Sequence, residues 1–107
     1  MKLRLVLGAL AVFLTACQSN LSSTAPPITT SFIQAGVRQD VDPQTLADGR
    51  KVFLNRCILC HALPEVARFD SPRLTRIVGR MSGRANLSPE QHEALLKYLL
   101  TVRSQDL

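Results

Sequence analysis

The sequence predicts a small all-α domain, on three observations. Three segments open with the same helix-start signal, a capping side chain followed by proline: Asp42-Pro43, Ser71-Pro72 and Ser88-Pro89. Behind each, apolar residues recur at spacings of three and four, the period of a helix face. No segment alternates persuasively between apolar and polar residues as a half-buried strand does.

The elements follow in chain order. In the first helix Leu46, Gly49, Arg50 and Phe53 fall on one face, and the helix runs towards Cys57. The second is short, with Leu74, Ile77 and Val78 as its stripe and an end expected near Gly79 to Gly83. In the third, Gln91 stands three residues after Ser88, the spacing of a capping box. Its stripe is Leu95, Tyr98, Leu99 and Val102. Gly36 is isolated and is expected outside the helices. No internal repeat is visible.

The chain divides into three stretches. Residues 1–16 read as a targeting signal: Lys2 and Arg4 form a positive start, and Leu5 to Leu14 is almost wholly apolar. Residues 17–41 begin with Cys17 and are rich in Ser, Thr, Pro and Gln up to about Arg38. Such a composition buries too little surface to offset the entropy of ordering, so a flexible tether is expected there. Residues 42–107 form the domain. At this length a side-chain core alone is marginal, which favours a cofactor within the core.

Cys57-Ile58-Leu59-Cys60-His61 carries the chemistry. Cys-x-x-Cys-His is the spacing of covalent haem c attachment, with each thiol forming a thioether to a vinyl group and the histidine ligating the iron. A zinc site would need about four ligands, and Cys17 and His92 form no second paired motif. A thiol-disulfide oxidoreductase using Cys57 and Cys60 would place the pair in a βαβ pattern, and no strand-like run precedes Cys57. Two structural cysteines beside a surface histidine are the plain alternative.

Leu14-Thr15-Ala16-Cys17 resembles the bacterial lipobox. The resemblance implies cleavage before Cys17, lipidation of that cysteine and an extracytoplasmic address, with the domain anchored to a membrane. An ordinary signal peptide and an uncleaved anchor are the alternatives. Gln18, rather than aspartate, follows the cysteine, which favours the outer membrane, facing the periplasm. Each cysteine then has a use: Cys17 for lipid, Cys57 and Cys60 for haem.

Cleavage would remove Lys2 and Arg4, taking the basic count from 13 to 11 against 8 acidic residues, a net +3 with histidines neutral. Two haem propionates would bring the whole to about +1. This modest charge, with few aromatics, points away from nucleic-acid binding.

From about Asp42 to Arg103 the chain resembles the class I cytochrome c family. The likeness lies in Gly49-Arg50-Lys51-Val52-Phe53 before the haem motif and in Leu95-Leu96-Lys97-Tyr98-Leu99 near the end. It implies a three-helix domain wrapped around one covalently attached haem, in which Gly49 and Phe53 of the first helix meet Tyr98 of the last. It implies His61 as one axial ligand and a methionine as the other. Met81 is the only methionine after the signal, and lies after the second helix, as the family's ligand does. His92 is the alternative distal ligand, and an open or water-bound iron is a third arrangement. The stretch from His61 to Met81 is short for the family. There is no Gly-Pro-x-Leu segment after the motif and no tryptophan, and Pro64 is the candidate carbonyl partner for His61.

The expected function is single-electron carriage between periplasmic or membrane redox proteins. A haem-based sensor or a small subunit of a larger oxidoreductase stays open, as does the thiol-disulfide enzyme. Arg68, Arg73, Arg76, Arg80 and Arg84 face only Asp70 within their region. Some could pair with propionates, others could steer an acidic partner, and a simple solvated helix face is the alternative.

Overall fold

The computed structural model describes residues 24–57 and 65–105, and these form an all-helical domain with no strand among them. The described residues hold the α-helices α1 Thr30–Val37, α2 Pro43–Arg56, α3 Ser71–Arg84 and α4 Pro89–Ser104, with a 3-10 turn at Val66–Arg68. No described helix is long and apolar enough to cross a membrane.

Two of the three expected starts are built as the sequence indicates. Asp42 caps α2, its carboxylate accepting from the Thr45 amide (3.0 Å) and the Thr45 hydroxyl (2.6 Å). Ser88 caps α4 through a complete capping box: its hydroxyl accepts from the Gln91 amide, and the Gln91 side chain accepts from the Ser88 amide. α3 differs by one residue. Asp70, not Ser71, is its cap, the carboxylate accepting from the Arg73 amide at 2.8 Å. A carboxylate is as good a cap as a hydroxyl, and Pro72 is tolerated anywhere in the first turn.

The expected end of α3 near Gly79 to Gly83 is also corrected. Both glycines hold helical backbone, and the helix continues through Met81 to Arg84. It stops at Asn86, which takes φ 53°. The Leu87 amide donates to the Ser82 carbonyl and the Asn86 amide to the Gly83 carbonyl, a Schellman motif with asparagine in the left-handed position.

The tether expected over 17–41 is overturned for the part that the structure describes. From Ala25 onward the chain packs on the helices, and Ala25, Phe32, Ala35 and Val41 are buried. Thr29 caps α1, its hydroxyl accepting from the Phe32 amide. Gly36 is inside α1, not outside the helices. A Cβ there would come within 2.6 Å of the Leu46 side chain, so its bare backbone lets α1 approach α2. Eight residues are too few for a self-sufficient helix, so α1 owes its existence to this packing.

The closest pairing is α2 with α4, and α3 also packs on α4. Tyr98 of α4 is the hub. It is fully buried, with its ring 5.4 Å from that of Phe32 and 6.2 Å from that of Phe53. Its hydroxyl donates to the Pro26 carbonyl at 2.8 Å. Arg50 of α2 donates to the Pro26 and Ala25 carbonyls. These bonds satisfy backbone groups of a segment without secondary structure of its own.

Candidate functional site

The end of α2, the 3-10 turn, α3 and α4 line a cavity of about 190 Å3. That is below the roughly 300–1,000 Å3 of typical ligand pockets. Its wall is mostly apolar. Phe53 comes from α2, Val66 and Phe69 from the turn region, Leu74, Ile77 and Val78 from α3, and Leu95 and Leu99 from α4. Each helix contributes side chains from its buried stripe, so the cavity continues the core rather than scoring the surface.

Two of the expected site residues meet here. Cys57, half-buried as the C-cap of α2, lines the cavity, and so does Met81, half-buried near the end of α3. Met81 stands within a helix and not in a loop after it. It shares its helix side with Leu74, Ile77 and Val78 at spacings of three, four and seven, and this turns its thioether towards the cavity wall.

Two guanidinium groups also line the cavity, Arg56 and Arg84. Arg56 donates to the Ala85 carbonyl, tying the end of α2 to the end of α3. Arg84 was among the basic residues of interest in the sequence. Arg56 was not, because only the approach of α2 to the end of α3 brings it here. Its position one residue before Cys57 was the available signal.

His92 takes a different place. It lies half-buried in the first turn of α4, one turn before Leu95, and it is not a lining residue. Its amide donates to the Ser88 carbonyl. Cys60, His61 and Pro64 lie outside the described residues, as does Cys17. Cys57 and Val66, on either side of the stretch that contains Cys60 and His61, both line the cavity. Among the described residues there is no group of three or more His, Cys, Asp or Glu side chains able to hold a metal ion.

The remaining arginines of the α3 region are engaged unequally. Arg68 pairs with Glu65 at 2.8 Å, both well exposed. The Arg73 guanidinium lies 5.3 Å from the centre of the Phe69 ring, a cation–π distance. Arg76 and Arg80 are exposed on α3. Compared with known proteins, the chain matches no family model, no curated protein and no solved structure.

Proposed function

We propose that this chain is a lipid-anchored, periplasm-facing monohaem c-type cytochrome that carries single electrons between redox proteins. The observation that carries the reading is that Cys57, the first residue of Cys-x-x-Cys-His, and Met81 line one apolar cavity.

The residues present fit such a group. The apolar wall suits a large flat ring system, and Arg56 and Arg84 suit its two carboxylates, since a guanidinium matches carboxylate geometry. Cys57 and Cys60 would hold haem covalently, and His61 and Met81 would ligate its iron. When bound, haem would supply a one-electron iron couple, which a thioether ligand together with a histidine would bias towards the reduced form. The chain's own part is to exclude water with Phe53, Leu74, Val78, Leu95 and Leu99, and to offer a sulfur from a rigid helix. Cys17 would carry the lipid, and Ala25 is the first buried residue among those described.

The test is the optical spectrum of the protein expressed with cytochrome c maturation machinery, oxidised and reduced, with covalent attachment checked in denaturant. A low-spin spectrum with a weak far-red ferric band, lost in Met81→Ala and kept in His92→Ala, is expected. A high-spin spectrum that shifts with carbon monoxide moves the assignment to a sensor or catalytic subunit. Protein without haem, with Cys57 and Cys60 open to alkylation, moves it to thiol chemistry.

A further inference from the structure

The outward side of α3 carries Arg73, Arg76 and Arg80 at spacings of three and four, so they share one stripe. With Ile77 and Gly79 they line a shallow groove. No carboxylate pairs with any of the three among the described residues. The residues outside the described ones contain a single acidic side chain, Asp106. α3 itself has no acidic residue after its cap Asp70, whereas Asp48, Glu90 and Glu93 lie on α2 and α4. Charge is therefore segregated, with a positive face on α3.

Gly79 and Gly83 lie beside this stripe, four residues apart. A Cβ at either position would meet nothing within 4 Å among the described residues, and both have ordinary helical φ. Glycine in a helix interior weakens the helix relative to alanine. No contact among the described residues requires it at these two positions, yet bare backbone beside the groove admits close approach by another chain.

We propose that this groove is a docking site for a carboxylate-bearing helix of a partner protein. Arg76 and Arg80 are helix neighbours at i and i+4, a spacing that two carboxylates at i and i+4 on a second helix can match. Gly79, between them in sequence, lets the partner backbone come near. A membrane surface is the poorer fit: among the described residues the one exposed large hydrophobic residue is Val37, on α1, so no large apolar side chain stands beside these arginines to enter a bilayer. Ile77 lines both the groove and the cavity, so a partner seated here lies one side chain from the cavity. The inference stands on charge and shape, whatever fills that cavity.

The experiment is fluorescence anisotropy of a labelled helical peptide bearing glutamate pairs at i and i+4, titrated with the mature chain as purified. Binding at low salt that weakens at least tenfold at 0.3 M salt is expected. Arg76→Glu with Arg80→Glu should cut affinity at least tenfold, while Lys51→Glu, an exposed charge reversal on α2, should change it less than twofold. Gly79→Leu, with helix content unchanged by circular dichroism, should weaken the peptide several-fold by filling the groove. Equal binding by the double arginine variant, or undiminished binding by Gly79→Leu, overturns the proposal. So does capture of the chain by phosphatidylglycerol vesicles through these arginines without peptide binding.

Discussion

Gly49 of α2 lies directly against Tyr98 of α4: a Cβ at position 49 would come within 2.5 Å of the Tyr98 Cβ and would overlap the Ala94 carbonyl. The two helices cross at a distance that only hydrogen at this position permits. The obstruction is a helix backbone, which cannot rotate away.

Gly49→Ala should therefore destabilise the domain severely, by about 3 kcal/mol or more, because overpacking here must move a whole helix. Gly36→Ala meets the end of the Leu46 side chain instead. A side chain can change rotamer, so its cost should be about 1 kcal/mol. Denaturant titration of the two variants checks the order. Equal losses would show that the crossing is not as tight as the distances indicate.

Tyr98→Phe removes the hydroxyl that donates to Pro26. It should cost about 1 kcal/mol, and should raise amide exchange in residues 25–41 more than in α2 or α4. Burial pushes the Tyr98 phenol up to about 12, partly opposed by the nearby Arg50 guanidinium. The unfolded chain loses this proton near pH 10.0 and the folded one later. The contribution of Tyr98 to stability is thus complete below pH 10 and is lost as pH rises from there through about 12. The Phe variant should lack that part of the alkaline decline.

Asp42 behaves in the opposite sense. The Thr45 hydroxyl and amide hold its carboxyl below the usual value of 3.8. Its contribution is complete above that value and is lost as pH falls through the lowered one. Asp42→Asn, which still caps, should flatten this acid limb while leaving stability at neutral pH nearly unchanged. An unaltered limb in acid denaturation would rule out Asp42 as its source.

Gly79→Ala should stabilise the isolated domain by about 0.5–1 kcal/mol, since the helix gains a better former in open space. A thermal melt reads this as a higher midpoint. A lower midpoint would mean that the surface of α3 is covered within the free protein.

Met81→Leu keeps nearly the same volume, so the fold should survive at a cost below about 1.5 kcal/mol. If Met81 is an axial ligand, the same change removes its sulfur, and the low-spin spectrum should be lost while helix content stays. Retention of the spectrum would reassign the ligand.

Local chemistry could be read from the chain as it stands. The caps Asp42 and Ser88, the capping box with Gln91, and the stripe Leu95, Tyr98, Leu99 and Val102 all depend on residues within a few positions of one another. The Cys57–His61 motif is legible for the same reason. So is the meeting of Gly49 with Tyr98, through the resemblance that predicted it.

What sequence could not decide depended on long-range contact. Residues 25–41 look like a linker by composition, and become core because Phe32 finds Tyr98 and because Arg50 and Tyr98 bind the carbonyls of Ala25 and Pro26. The end of α3 passes two glycines because neither needs a left-handed backbone, and the stop waits for Asn86. Arg56 joins the cavity wall through a carbonyl 29 residues away. Short-range signals specify where helices begin and which sides are apolar. The free energy that orders a marginal eight-residue helix, or sets two helices around a cavity, comes from partners distant in the chain, and no local pattern encodes them.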